Sequence, residues 1–235
     1  MFRNFLKIAW KNLLKDKTTT LINICGLALG MTAFFLIINY VLFEQSFDSF
    51  HKDNERIYRV ESMFFKGDLK TDHWGSSTNG YAPAMKAVFP EIEAFTRYNW
   101  HNSDRTVRYQ DTKFREQDVC FADSNFFEFF NFPLLKGNPA TVLKEANTVA
   151  LSERAAKKYF GDKDPIGEIL VISTIANSFN CMVTGIFKNI PSNSHLQFDF
   201  LMSWQTSPRW MHDFWYLHES YSYVRLRSNA STEAI

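Results

Sequence analysis

The chain has little of what covalent, metal or nucleotide chemistry needs. It contains three cysteines. Cys25 lies inside a long apolar run, so only Cys120 and Cys181, both read as lying at strand edges, are left for one external disulfide, the alternative being two buried thiols. No G-x-x-x-x-G-K-[ST] stretch occurs, which excludes a P-loop, and no serine sits in G-x-S-x-G. Charge of one sign is also missing: 26 basic against 25 acidic residues give a net charge of +1, without the basic field that nucleic acid demands. Low-complexity segments and repeats are absent.

Against these absences stands one long hydrophobic segment. Leu21 to Phe43 runs for 23 residues without a charge. As a helix it measures ~34 Å, enough to cross a hydrocarbon core of roughly 30 Å. A cleaved signal peptide has a shorter apolar region and a small-x-small site, and Asn39–Glu44 offers none. The segment is therefore expected to be an uncleaved anchor, with the transmembrane helix over residues 18–43. Residues 1–17 hold Arg3, Lys7, Lys11, Lys15 and Lys17 against the single acid Asp16. The positive-inside rule then puts the N-terminus in the cytoplasm and residues 44–235 outside.

The first 17 residues have their own pattern. Arg3, Lys7, Lys11 and Lys15 recur every four positions, with Phe2, Phe5, Leu6, Trp10 and Leu13 among the rest. This predicts an amphipathic basic helix on the cytoplasmic membrane surface, where Trp10 suits the interface and the basic side chains meet anionic lipid headgroups. Within the span, Gly26 and Gly30 form a GxxxG motif that lets another helix approach closely. Asn23 and Asn39 are polar residues that favour a protein neighbour over lipid. The expected helix-packing residues are Gly26, Gly30 and Asn23.

Residues 44–235 suffice for one medium domain or two small ones, and the mixture of periodicities predicts an α+β fold. Strands are expected at 56–61, 168–173, 180–187, 199–202 and 221–226. Helices are expected at 81–90, at 124–130 with its four phenylalanines, and at 152–160, capped by Ser152 and ended by Gly161. Catalytic constellations are weak. His212 and His218 are six apart, the wrong spacing for a shared helical face. Ser194, His195 and Asp199 supply the residue types of a hydrolase triad, but PSNSH reads as a turn into the next strand. The aromatic residues from Trp204 to Tyr223 are expected in a core, since Tyr221 and Tyr223 alternate as in a packed strand.

The order of several segments is specific beyond any one of them: GLALG in the span, then FEQSFDSFH, ERIYRVE, FPEIEAFTRY, CFADSNFFEFFNFPLLKGNPATVLKEANTVALSERAAKKYFGDKDPIGE, VTGIFKNIPSNSHLQFDFLMS and YSYVRL. This series resembles the N-terminal part of MacB/FtsX-like ABC transporter permeases of the Bacteroidetes type. The resemblance implies a mixed α/β extracytoplasmic domain of MacB periplasmic core type over residues 44–235, held outside a bacterial inner membrane. It also implies a noncatalytic role with no cofactor. The implied partners are a separate cytoplasmic ABC ATPase subunit, further permease transmembrane helices or a second permease copy, and membrane lipid, but no nucleic acid. Such permeases carry at least three further spans, so the sequence is read either as a permease subunit or as only the N-terminal portion of one, a gene fragment or truncated product. Two other classes are a single-span periplasmic ligand-binding or sensor module and a membrane-tethered periplasmic enzyme. The short cytoplasmic stretch weighs against a sensor, and no selected polar cluster supports an enzyme.

Overall fold

A computed structural model describes residues 2–99, 104–174, 177–212 and 214–230. The chain divides into two compact units, Met1–Phe47 and Asp48–Ile235.

The first unit is helical. Helix α1 (Phe2–Lys15) leaves Arg3, Lys7, Lys11 and Lys15 exposed, and Trp10 is 66% exposed. Asp16 breaks the helix and caps the next one: its carboxylate accepts from the Thr19 amide at 3.2 Å and the Thr19 hydroxyl at 2.8 Å. Helix α2 (Lys17–Gln45) spans 29 residues, slightly longer at both ends than the uncharged run requires. Glu44 and Gln45 continue its hydrogen-bond ladder until the Ser46 amide closes on Leu42. Not one residue of α2 is buried, and among the described residues it is the one helix long and apolar enough to cross a membrane. An apolar helix bare on every side is unstable in water and stable in lipid.

The second unit is a mixed sheet flanked by short helices. In chain order it comprises β1 (Ile57–Val60), β2 (Ser62–Lys66), β3 (Leu69–Trp74), α3 (Tyr81–Val88), β4 (Ile92–Asn99), β5 (Arg105–Tyr109), β6 (Thr112–Glu116) and β7 (Val119–Ala122). It continues with α4 (Phe126–Phe130), β8 (Leu134–Lys136), β9 (Thr148–Ser152), α5 (Glu153–Phe160), β10 (Ile169–Ser173), β11 (Ser178–Phe187), β12 (Phe200–Ser203) and β13 (Ser220–Leu226). Ten strands follow the order β1-β13-β4-β7-β12-β9-β11-β10-β5-β6, with β8 paired to β11. The pairs β9–β11 and β7–β12 are parallel and the others antiparallel. The β2–β3 hairpin forms a separate ribbon.

Two large apolar clusters line the sheet. One packs Ala155, Ala156, Tyr159 and Phe160 of α5 against Val149, Leu151, Ile172, Val183 and Phe200. The sequence dictates this helix locally: the Ser152 hydroxyl accepts from the Ala155 amide at 3.1 Å, and Gly161 at φ 61° closes the other end. The other cluster is aromatic. Phe126, Phe127, Phe129 and Phe130 of α4 are all at most 2% exposed and pack with Tyr98, Phe132, Phe187 and Phe198. Cys120 belongs to the aromatic cluster and Cys181 to the α5 cluster, and both are free thiols. They serve as small core residues, and burial raises both to a pKa of about 12.

The aromatic C-terminal stretch corrects its expected burial in part. Met202, Trp204, Met211 and Tyr223 are buried, but Trp210, Trp215 and Tyr216 are 59%, 50% and 85% exposed. The alternation argument holds for β13, which is a strand. Residues 209–211 form a short 3₁₀ turn and 214–217 a loop, where no two-residue period governs which side faces inward.

Candidate functional site

Asp48 is the first residue of the second unit and follows the end of α2 by three positions. It is tied to the turn at 193–195 from several directions. Its amide donates to the Asn193 carbonyl at 2.9 Å. Its carboxylate accepts from the Ser194 hydroxyl at 3.0 Å, the His195 amide at 3.2 Å and the His195 Nδ1 at 2.5 Å. A carboxylate only accepts, so Nδ1 carries the proton in this pair. The other ring nitrogen of His195 meets the Tyr223 hydroxyl at 2.6 Å, which links the turn to β13. The turn itself is local: Ser194 closes on the Pro191 carbonyl, as Pro-Ser-Asn-Ser favours.

His51, three residues beyond Asp48 in a hydrogen-bonded turn, makes a second attachment. Its Nδ1 donates to the Phe130 carbonyl at 2.7 Å, and its ring lies against Phe130 and Phe132 of the aromatic core. Its Nε2 is buried without a hydrogen-bond partner, 3.8 Å from the Asp48 carboxylate. The segment following α2 is thus fastened to the turn at 193–195, through His195 to β13 beside the end strand β1, and to α4. A cavity of about 480 Å³ opens beside it, lined by Asp48, His51, Arg59, Glu61, His195 and Tyr223 among others.

Electrostatics bind the clasp to pH. Partial burial pulls the Asp48 carboxyl upward, but the hydrogen bond and charge of His195 and the Ser194 hydroxyl outweigh it, so the group titrates below its ordinary value. Burial also lowers the His51 pKa, opposed only in part by the Phe130 carbonyl and Asp48. Both folded values are depressed, so in each case the unfolded chain binds the proton more readily. The His51 contribution is complete above about pH 6.5 and is lost as pH falls toward its folded value; that of Asp48 is complete above about pH 4 and is lost below it. Thermal unfolding between pH 7.5 and 5.5 should therefore show Tm falling with pH. His51→Gln, which keeps a donor for Phe130 without a titrating proton, should flatten that slope. An unchanged slope would remove His51 from the account.

The other sequence-derived candidates fall elsewhere. Ser194, His195 and Asp199 do not assemble as a triad: Asp199 accepts instead from the Ser152 hydroxyl at 2.5 Å and from Arg154 at 2.6 Å. His212 Nε2 meets the Ser207 carbonyl and His218 Nδ1 meets the Ser62 hydroxyl, and no cluster of metal-ligand type is present among the described residues. A Cβ added at Gly26 or Gly30 would touch nothing within 4 Å, so their face is open. Asn23 is exposed on the same helix, whereas Asn39 satisfies its own amide on the Phe35 carbonyl. Sequence reasoning passed over Asp48 and His51 as site residues. Their signal was D-x-x-H directly behind a membrane span, a spacing that means little until His195, 147 residues after Asp48, is brought to it.

An apolar helix long enough to cross a membrane, followed by a mixed α/β domain, defines a membrane-anchored type of protein. Residues 20–235 match the family model of the MacB-like periplasmic core domain, and the chain belongs to that family. Its fold is similar to that of a domain assigned to a permease protein of Porphyromonas gingivalis, with a TM-score of 0.64 and 24% identity over 78% of this chain and 81% of that one. It is also similar to the periplasmic region of MacB from Actinobacillus actinomycetemcomitans, with a TM-score of 0.51 and 14% identity over 67% of this chain and 69% of that one. A comparison with curated proteins finds no match. The family assignment and the mixed α/β architecture bear out the resemblance to MacB/FtsX-like permeases and the expected fold class.

Proposed function

We propose that this chain is a permease subunit, or the N-terminal portion of one, in an ABC transporter. On this reading α1 lies on the cytoplasmic surface of a bacterial inner membrane, α2 crosses it, and residues 44–235 stand in the periplasm. A separate cytoplasmic ATPase hydrolyses ATP, and the membrane helices carry its closure outward to move the domain, for export or mechanical signalling. The observation that carries the reading is the clasp: a residue three positions past the span is hydrogen-bonded through both backbone and side chain to the body of the domain. A flexible tether would suffice for a passive anchor. Transmission of displacement needs a stiff joint, and several hydrogen bonds converging on the half-buried Asp48 carboxylate suit one.

The basic stripe of Arg3, Lys7, Lys11 and Lys15 and the side chain of Trp10 suit a headgroup surface. The open face at Gly26 and Gly30, with Asn23 nearby, suits another permease helix or a second copy. Purification of the tagged chain from its source membranes in mild detergent tests the assignment. An ABC ATPase and further permease segments should accompany the wild type. Leucine at both Gly26 and Gly30 should remove the helix partners, because the branched side chains keep backbones apart. Isolation of the wild type without any ATPase would contradict the proposal.

A further inference from the structure

One oxygen of the Asp48 carboxylate serves two neighbours and faces a third. Oδ1 accepts from the Ser194 hydroxyl at 3.0 Å and the His195 amide at 3.2 Å, and His51 Nε2 lies 3.8 Å from it. Oδ2 accepts from the His195 ring. The Nδ1 proton of His51 is committed to the Phe130 carbonyl at 2.7 Å, so Nε2 of the neutral ring is a bare acceptor. Two acceptors thus face each other with no hydrogen between them, and Nε2 is buried without a hydrogen-bond partner among the described residues. A proton on Nε2 turns that opposition into a charge-assisted hydrogen bond of about 2.7–2.9 Å. The ring is held by the Phe130 carbonyl and by the rings of Phe50, Phe130 and Phe132, so the carboxylate is the group that closes the gap. It has to come about 1 Å nearer to do so. Its bonds to the turn, already 3.0 and 3.2 Å long, then open.

The other charged and titratable groups around the ring are already engaged. On the cavity wall Arg59 and Glu61 pair with each other at 2.7 Å, and Tyr223 meets His195 at 2.6 Å. On the segment of His51 itself, Lys52 and Asp53 are exposed, and Asp53 pairs with Arg56. The α4 side offers only the Phe130 carbonyl and uncharged rings. Asp48 is therefore the carboxylate that favours a charge on His51, and His195 opposes it. Burial holds the ring's titration below the ordinary histidine value, which sets any response on the acid side of neutrality. We propose that the clasp is a proton switch: a proton on His51 Nε2 draws Asp48 Oδ1 off the Ser194 hydroxyl and the His195 amide, and so frees the turn at 193–195 while the sheet stays folded. The switch rests on the coupling reading for its purpose, since on that reading an acidic exterior loosens the joint behind the span.

The test uses the full chain in detergent micelles, with isotope-labelled histidine to follow His51 by NMR and hydrogen exchange to follow the His195 amide, from about pH 7.5 to about pH 5. His51 should take up a proton at Nε2 while the domain stays folded. Over the same range the protection of the His195 amide, corrected for intrinsic exchange, should fall about tenfold, and that of the β9 and β12 amides should hold. His51→Gln should abolish the fall, because its amide still serves the Phe130 carbonyl and takes up no proton. A ring that stays neutral throughout, or one that titrates without any loss of protection at His195, overturns the proposal. Loss across the whole sheet in step with His195 overturns it in favour of global acid unfolding, and an equal fall in His51→Gln overturns it in favour of His195. No ATPase is present, so each of these results leaves the coupling reading to its own test.

Discussion

Alanine in place of Asp48 is expected to lower the stability of the second unit by about 2–4 kcal/mol, since it removes a charged acceptor and strands its donors. The Ser194 hydroxyl, the His195 amide and the His195 ring all lose their partner at once. For a domain of this size the loss corresponds to a fall in Tm of roughly 4–16 °C. Asparagine should lose less, because its carbonyl still accepts from the turn while the charge is gone. Serine at 194 removed alone should cost less again. A Tm for Asp48→Ala within 1–2 °C of wild type, roughly the spread of a neutral surface change, would show that the clasp holds nothing.

The second large effect lies in the aromatic core. Phe126 is fully buried and meets Phe130 at 5.0 Å, Phe198 at 5.5 Å, and Tyr98 and Phe132 both at 5.9 Å between ring centroids. Phe126→Ala should cost about 3–5 kcal/mol, from lost burial and from a cavity that rigid rings on every side cannot fill. Calorimetry or denaturant titration reads this directly. The pair of variants separates two ideas. Both destabilise, but Asp48→Ala alone alters the joint behind the span, so a coupling defect in Asp48→Ala that Phe126→Ala does not share would be mechanical rather than a matter of folding.

Much of the fold was legible where local signals were strong. The uncharged run announced α2, Ser152 and Gly161 framed α5, and proline and the Tyr81–Phe89 pattern framed α3. Alternation revealed β1 and β13. Strands β7 and β9, VCFA and TVALS, are buried at every position, so neither shows the two-residue period by which a strand is recognised. The exposed β2–β3 hairpin hid for the opposite reason: β3, LKTDHW, has no buried face at all. The candidate site was less legible still. His195 drew notice beside Ser194 and Asp199, near in sequence, yet the fold turns Asp199 toward Arg154 and hands His195 to Asp48. Adjacency along the chain favoured the wrong carboxylate, because only the closing of the sheet brings residue 48 to residue 195.

The measurement closest to the central claim is hydrogen exchange of the second unit within a purified assembly of this chain and the ATPase proposed to partner it, with and without ATP, for the wild type and Asp48→Ala. The account predicts that ATP alters exchange at 193–195 and along β13 in the wild type. In Asp48→Ala the response along β13 should vanish while ATP hydrolysis continues. An identical response in the variant, or none in the wild type, would contradict transmission through the clasp.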